Sequence, residues 1–247
     1  VSSRALLGVV TAVCREIGLP VPTSVSSSTS QQVVQLVAYA NKTGDALRDE
    51  ANWPVLRKLC TISTVNGTAE YTVSATDGST PLPCTRIVNE TGWDATNSWF
   101  FVGSVDDQEW NAWQYGVITT PIRKIWRTTA DDTIEVFPTP TANGDSLAIS
   151  FITSYWAKSA GNTFKESLSA DDDYHLFNDR LFIEGVKWRF LEAKGLPFGV
   201  PKLEYDRLLM QRKAAARPGR TLTLDSGRAR MRRFIDYRNV PDTGYGP

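Results

Sequence analysis

Histidine occurs once in this 247-residue chain, methionine twice and cysteine three times, and each scarcity removes a class of chemistry. Cys14, Cys60 and Cys84 lie far apart without a CxxC pair. That usage suits a reducing compartment rather than a disulfide framework, and it argues against a structural zinc site. The one histidine, His175, has no partner in an HExxH, GxSxG or Cys-His setting, so no nucleophilic constellation is legible. It reads as a half-exposed residue in the first turn of a helix. Walker and dinucleotide glycine fingerprints are missing too, and no cofactor is expected. Apolar runs are short. The early one, Ala5 to Ile17, is interrupted by Arg15 and Glu16 and lacks the length of a membrane span. GLPVP follows it, not a small-residue cleavage site. The expectation is a soluble protein, made inside the cell, with no membrane partner and no enzymatic activity.

Charge of one sign is also missing overall, since Lys+Arg and Asp+Glu each number 27. Its distribution is uneven. Arg207 to Arg238 hold ten of the 27 basic residues and only Asp225 and Asp236 on the acidic side, leaving 17 basic residues against 25 acidic ones elsewhere. The body is acidic and the C-terminal end basic.

What is present begins with the stretch Ser169 to Lys213, which reads as two helices broken by one turn. Ser169 is placed as N-cap, Asp172 stands three residues on as in a capping box, and Asp171 to Asp173 put negative charge at the helix start. Tyr174, Phe177, Leu181, Trp188 and Leu191 follow helical spacing, while Phe182, Val186 and Phe190 widen the apolar stripe beyond what one neighbour covers. Lys194, Gly195 and Pro197 end this helix. The next opens near Pro201, with Leu203, Leu208 and Leu209 inward and Arg207, Arg212 and Lys213 outward. At the other end of the chain, residues 3 to 17 and a segment from about Ser30 to before Asn52-Trp53-Pro54 show the same periodicity.

From Lys58 to about Trp156 the period changes to two. Leu59 to Val65, Asn66-Gly67 and Thr68 to Val73 give a hairpin signal. Further strand candidates are Thr85 to Asn89, Trp99 to Gly103, Ile122 to Arg127, Thr133 to Phe137 and Leu147 to Tyr155. A short helix capped within Ser104 to Asp107 and running through Trp113 falls among them. Two isolated amphipathic pairs cannot each bury a stripe, so the N- and C-terminal pairs should pack together. The predicted fold class is therefore α+β: an antiparallel helical bundle (residues 1–57 and 161–217) with an inserted antiparallel β-sandwich or barrel (58–160) and an extended arm (218–247).

Several groupings invite a functional reading. Asp171 to Asp173 suit either helix capping or a cation, without EF-hand spacing. Trp93, Trp99, Trp110, Trp113 and Trp126 suit a core or a subunit interface, or else a sugar-stacking face. The arm departs most from an ordinary surface. Arg228, Arg230, Arg232, Arg233 and Arg238 are suited to pair with carboxylates or phosphates, while Met231, Phe234 and Tyr237 dock into apolar recesses. Interleaved aromatic residues favour a protein groove over nucleic acid.

The whole layout resembles the head-to-tail adaptor proteins of short-tailed bacteriophages, the tail tubular protein A type among them. The likeness rests on two N-terminal helices reaching a Trp-Pro, on IEVFPTPTANGDSLAISFITSYW (Ile134 to Trp156), and on DDYHLFNDRLFIEGVKWRFLEAKGLPF (Asp172 to Phe198) before a last helix and arm. The resemblance implies a homo-oligomeric ring of twelve copies at the head-to-tail junction of the virion. It also implies a portal protein above, a tail nozzle below, and DNA passing through the lumen without specific binding. It makes Arg228 to Arg238 the portal-binding segment. Two rivals stay open: a tail-associated carbohydrate-binding or glycan-hydrolysing protein using the Trp-rich strands, and a nucleic-acid binder acting through the arm. A sliding conduit should neutralise few phosphates, so a polar and acidic lumen is expected. Trp188 is expected at the centre of the bundle, where its replacement by alanine costs roughly 3 to 5 kcal/mol.

Overall fold

The computed structural model describes residues 3–77, 80–115 and 123–216. These divide into two compact units, one of residues 3–57, 76–77, 80–82 and 153–216, the other of residues 58–75, 83–115 and 123–152. The chain is α+β, with antiparallel strand ladders inserted between two sets of helices.

The first unit contains α1 (Leu6–Ile17), α2 (Gln31–Glu50), α4 (Asp179–Ala193) and α5 (Gly199–Ala216). α1 buries Leu6, Val9, Val10, Val13 and Cys14 and stops at Gly18, whose φ of 73° only glycine adopts without strain. α4 is the centre. Leu181, Phe182, Ile183, Gly185, Val186, Phe190 and Leu191 are buried over most of its circumference, because α1, α2 and α5 all pack on it. A Cβ at Gly185 would stand 2.5 Å from the Thr43 methyl and 3.0 Å from the Tyr205 ring, so glycine sets how closely α2 and α5 approach α4. Arg189 is buried too. It donates to the Thr43 hydroxyl at 3.2 Å and the Gly185 carbonyl at 3.0 Å, and it lies over the Trp188 ring.

Several expectations for this region are corrected. α4 starts nine residues later than predicted, at Asp179, with Asn178 rather than Ser169 as N-cap, accepting from the Leu181 amide at 3.3 Å. Ser169 and the three aspartates belong to turns, and Tyr174–His175 forms a short strand, β12, against β10 (Ala157–Lys158), which also pairs with β11 (Phe164–Lys165). The physical reason is competition. Ser and Asp side chains there bond nearby backbone amides, which removes the donors a helix start would use. His175 is consequently buried, not half-exposed. Trp188 is only half-buried, packing against Tyr205 with ring centroids 6.0 Å apart. Leu203 points outward, 71% exposed, and Tyr205 takes the inward place assigned to it.

The second unit holds the larger strands and α3 (Asp107–Tyr115). β7 (Ile125–Ala130) and β8 (Thr133–Phe137) pair antiparallel with Trp126 opposite Val136, and β2 (Glu70–Thr72) lies on the other side of β8. The other sheet runs β3 (Ser74–Asp77), β4 (Thr80–Ile87), β9 (Ser146–Thr153), β5 (Trp93–Asp94), β6 (Trp99–Phe100), with β1 (Arg57–Ser63) also on β9. β9 buries Leu147, Ile149 and Phe151 on one face and ends at Thr153, so Tyr155 of the predicted strand lies beyond its end. The Asn66-Gly67 hairpin is another correction. The turn forms, with Gly67 at φ 78°, but β1 and β2 join different sheets. The Gly67 amide donates to the Pro140 carbonyl at 2.9 Å and the Asn66 amide to Asn143 Oδ1 at 2.7 Å, so tertiary pairing with the 140–144 turn overrides the local signal.

Candidate assembly surface

The predicted portal-binding residues, Arg228, Arg230, Met231, Arg232, Arg233, Phe234, Tyr237 and Arg238, lie outside the described residues. α5, the helix that leads to them, is described to Ala216. Four of its turns from the start, Arg212 borders a cleft of about 700 Å³ whose other walls are Ser3, Val55, Tyr174, Leu176, Phe177 and Asn178. Tyr205, Leu208 and Leu209 hold the inner side of α5 in the core. Its outer side presents Val200, Leu203, Arg207 and Met210 to solvent.

Two aspartates tie the 165–173 segment to itself and to the N-terminal segments. Asp173 is almost fully buried; its carboxylate accepts from the Ser169 amide at 2.8 Å, the Ala170 amide at 2.9 Å, the Ser169 hydroxyl at 3.2 Å and the Lys165 ammonium. Burial alone would raise its pKa, but Lys165 and the two amides outweigh burial and hold it below the usual carboxylate range. Its main-chain carbonyl takes the Leu6 amide at 2.7 Å, giving α1 the cap that its own side chains do not supply. Asp171 is pulled down to about 2, chiefly by the Ser24 hydroxyl and then by the Ser26 and Val25 amides. The aspartate run is thus a clasp between segments, and among the described residues no group of acidic, histidine or cysteine side chains is arranged to hold a metal ion.

His175 stacks on Phe182 with ring centroids 4.1 Å apart and faces Asp179 at 3.5 Å. Burial pushes its pKa down to about 4, only partly opposed by the Asp179 carboxylate and the Phe177 backbone. The unfolded chain binds this proton below about pH 6.5, whereas the folded chain refuses it until about pH 4. His175 therefore contributes stability that is complete above the unfolded value and lost as pH falls through that window, about 3 kcal/mol in all. Melting temperature should fall steadily between pH 7 and pH 5, and His175→Phe should flatten the slope. An equal slope in that variant would refute the assignment.

In the second unit Trp110 and Trp126 are buried and Trp93, Trp99 and Trp113 half-buried. Trp110 packs with Val105, Ile125 and Phe137 beneath Arg127, whose guanidinium carbon lies 4.6 Å from the ring centroid. Lys124 ties buried Asp94 at 2.8 Å to Asp145 at 2.9 Å. A cleft of about 260 Å³ is walled by Glu90, Gly92, Phe100, Phe101, Val102 and Gly103. The tryptophans are spread between core and surface and do not form one stacking face at this cleft. Sequence reasoning missed Asp173 as a clasp and Gly185 as a packing point, because both roles depend on partners distant in the chain.

The fold is α+β, and the outer side of α5 leaves large apolar side chains in solvent. The model of the SU10 adaptor protein family matches residues 5–236, and the chain belongs to that family. It is thus a structural bacteriophage adaptor and a component of the virion. No curated protein matches the chain.

Proposed function

We propose that this protein is the head-to-tail adaptor of a short-tailed phage, forming a ring between the portal and the tail nozzle. The observation that carries the reading is the family match, which covers both sets of helices, the inserted strands and the arm as far as residue 236. Arg228, Arg230, Met231, Arg232, Arg233 and Phe234 fall within that span, and Tyr237 and Arg238 follow it. The resemblance to the tail tubular protein A type supports twelve copies and DNA passing through a polar, acidic lumen. In this reading the arm is the portal anchor. Its guanidinium groups meet carboxylates at a subunit boundary and its aromatic residues fill apolar recesses. One arm binds weakly; a ring of them binds by avidity.

Ending the chain at Arg217 tests this. The shortened protein should melt as the full one does, since all the described helices and strands lie before that point, yet it should lose binding to portal rings. Truncated protein that still assembles on portal rings at ordinary salt would overturn the assignment. Retained portal binding with lost DNA binding would make the arm a nucleic-acid element instead.

A further inference from the structure

The chain has two Asn-Gly pairs, Asn66-Gly67 and Asn143-Gly144, and all four residues are exposed in turns of the second unit. Such a pair carries a latent reaction of its own, because glycine has no side chain to keep its main-chain nitrogen away from the preceding carboxamide. In an unfolded chain the two pairs are chemically alike. The fold makes them different.

Asn143-Gly144 is held by a bracket around buried Thr64. The Gly144 amide donates to the Thr64 carbonyl at 2.9 Å, the Thr64 amide to the Asp145 carbonyl at 2.9 Å, and the Asp145 amide to the Thr64 hydroxyl at 3.0 Å. The Asn143 carboxamide is pinned as well, since its Oδ1 accepts from the Asn66 amide at 2.7 Å. Nucleophile and electrophile are thus both engaged elsewhere. At the other pair the Gly67 nitrogen has a single tie, to the Pro140 carbonyl at 2.9 Å, and among the described residues the Asn66 carboxamide has no partner. The Tyr71 hydroxyl clasps the flanking Val65 amide at 3.1 Å and Thr68 carbonyl at 2.8 Å but touches neither reacting group.

We propose that Asn66 is a site of spontaneous deamidation in the folded protein, and that the Thr64 bracket shields Asn143 from the same reaction. The Gly67 nitrogen gives up its proton and bonds to the Asn66 carboxamide carbon, while the bond from that carbon to Nδ2 breaks and ammonia leaves with the proton. Water then opens the cyclic imide at either carbonyl, leaving aspartate or isoaspartate at position 66. The balance is one water taken up and one ammonia released, with no oxidant or reductant. The placement matters because Thr64 directly follows β1, Asp145 directly precedes β9, and those two strands pair. Isoaspartate at 143 would lengthen the main chain by one carbon at that junction. At 66 the extra carbon falls in the turn beyond it.

Full-length protein incubated at mildly alkaline pH, in native buffer and in parallel in denaturant, tests this by peptide-mapping mass spectrometry of both turns. The unfolded chain should convert the two asparagines at similar rates. The folded protein should convert Asn66 roughly tenfold faster than Asn143, since two further hydrogen bonds have to open at the bracket. Equal native rates, a faster Asn143, or no native conversion of Asn66 while the unfolded chain converts would each overturn the proposal. Thr64→Val removes the hydroxyl that takes the Asp145 amide, so it should speed conversion at Asn143 and leave Asn66 unchanged. An unchanged Asn143 rate in a folded variant would refute the bracket as the shield; should the variant fail to fold, the native comparison of the two sites in the wild type decides alone.

Discussion

Trp156→Ala is expected to destabilise the helical unit by about 3 to 5 kcal/mol, the largest effect of any single truncation there. The ring is fully buried, stacks on Phe177 at 6.2 Å, leans on Phe182 at 6.1 Å and donates its indole N–H to Asp45 at 3.0 Å. A Cβ at Gly44 would fall 2.2 Å from its six-membered ring, so the helix backbone itself is one wall of the site and cannot close over the space left behind. Removing the indole costs the transfer energy, the cavity and the bond to Asp45 together. Trp188→Ala should cost clearly less, because that ring is half in solvent. Chemical denaturation of both variants checks the order, and equal losses would contradict it.

Asp173→Asn should cost about 3 kcal/mol, although it changes one atom. One carboxylate oxygen, Oδ2, gathers Lys165, two amides and the Ser169 hydroxyl in a nearly dry site, and an amide oxygen in its place carries no charge to hold the ammonium. The Lys165 ammonium then loses its anion while its surroundings stay partly buried. Because the folded pKa of Asp173 is depressed, its contribution is present above the unfolded value of about 3.9 and lost as pH falls through the folded one. The wild type should therefore approach the variant in stability in strong acid and exceed it at neutral pH. A constant gap across that range would show that the clasp acts by shape alone.

Much of the fold is legible in the residues because the signals are local. Gly67 and Gly195 take positive φ at the turn and the helix end that the sequence signals. The alternation of Leu147, Ile149 and Phe151 places β9 directly, since a period of two leaves one face for the core. The apolar width around Phe182, Val186 and Phe190 correctly makes α4 the central helix. The basic arm is equally plain as a composition. The errors are of another kind. Ser169 with Asp171 to Asp173 satisfies every local rule for a helix start, and Asn66-Gly67 every rule for a hairpin.

Local chemistry, then, determined the order of elements, the fold class, the change of period at residue 58 and the concentration of arginine after Arg207. Only the tertiary structure decided that the aspartates clasp loops, that His175 is buried and neutral against Phe182, and that Leu203 faces out while Tyr205 faces in. The reason is one of competing partners. A backbone amide, a carboxylate or an apolar side chain has several near-equal local choices, and which one wins depends on groups more than a hundred residues away, as Asp171 with Val25 and Arg189 with Thr43 show.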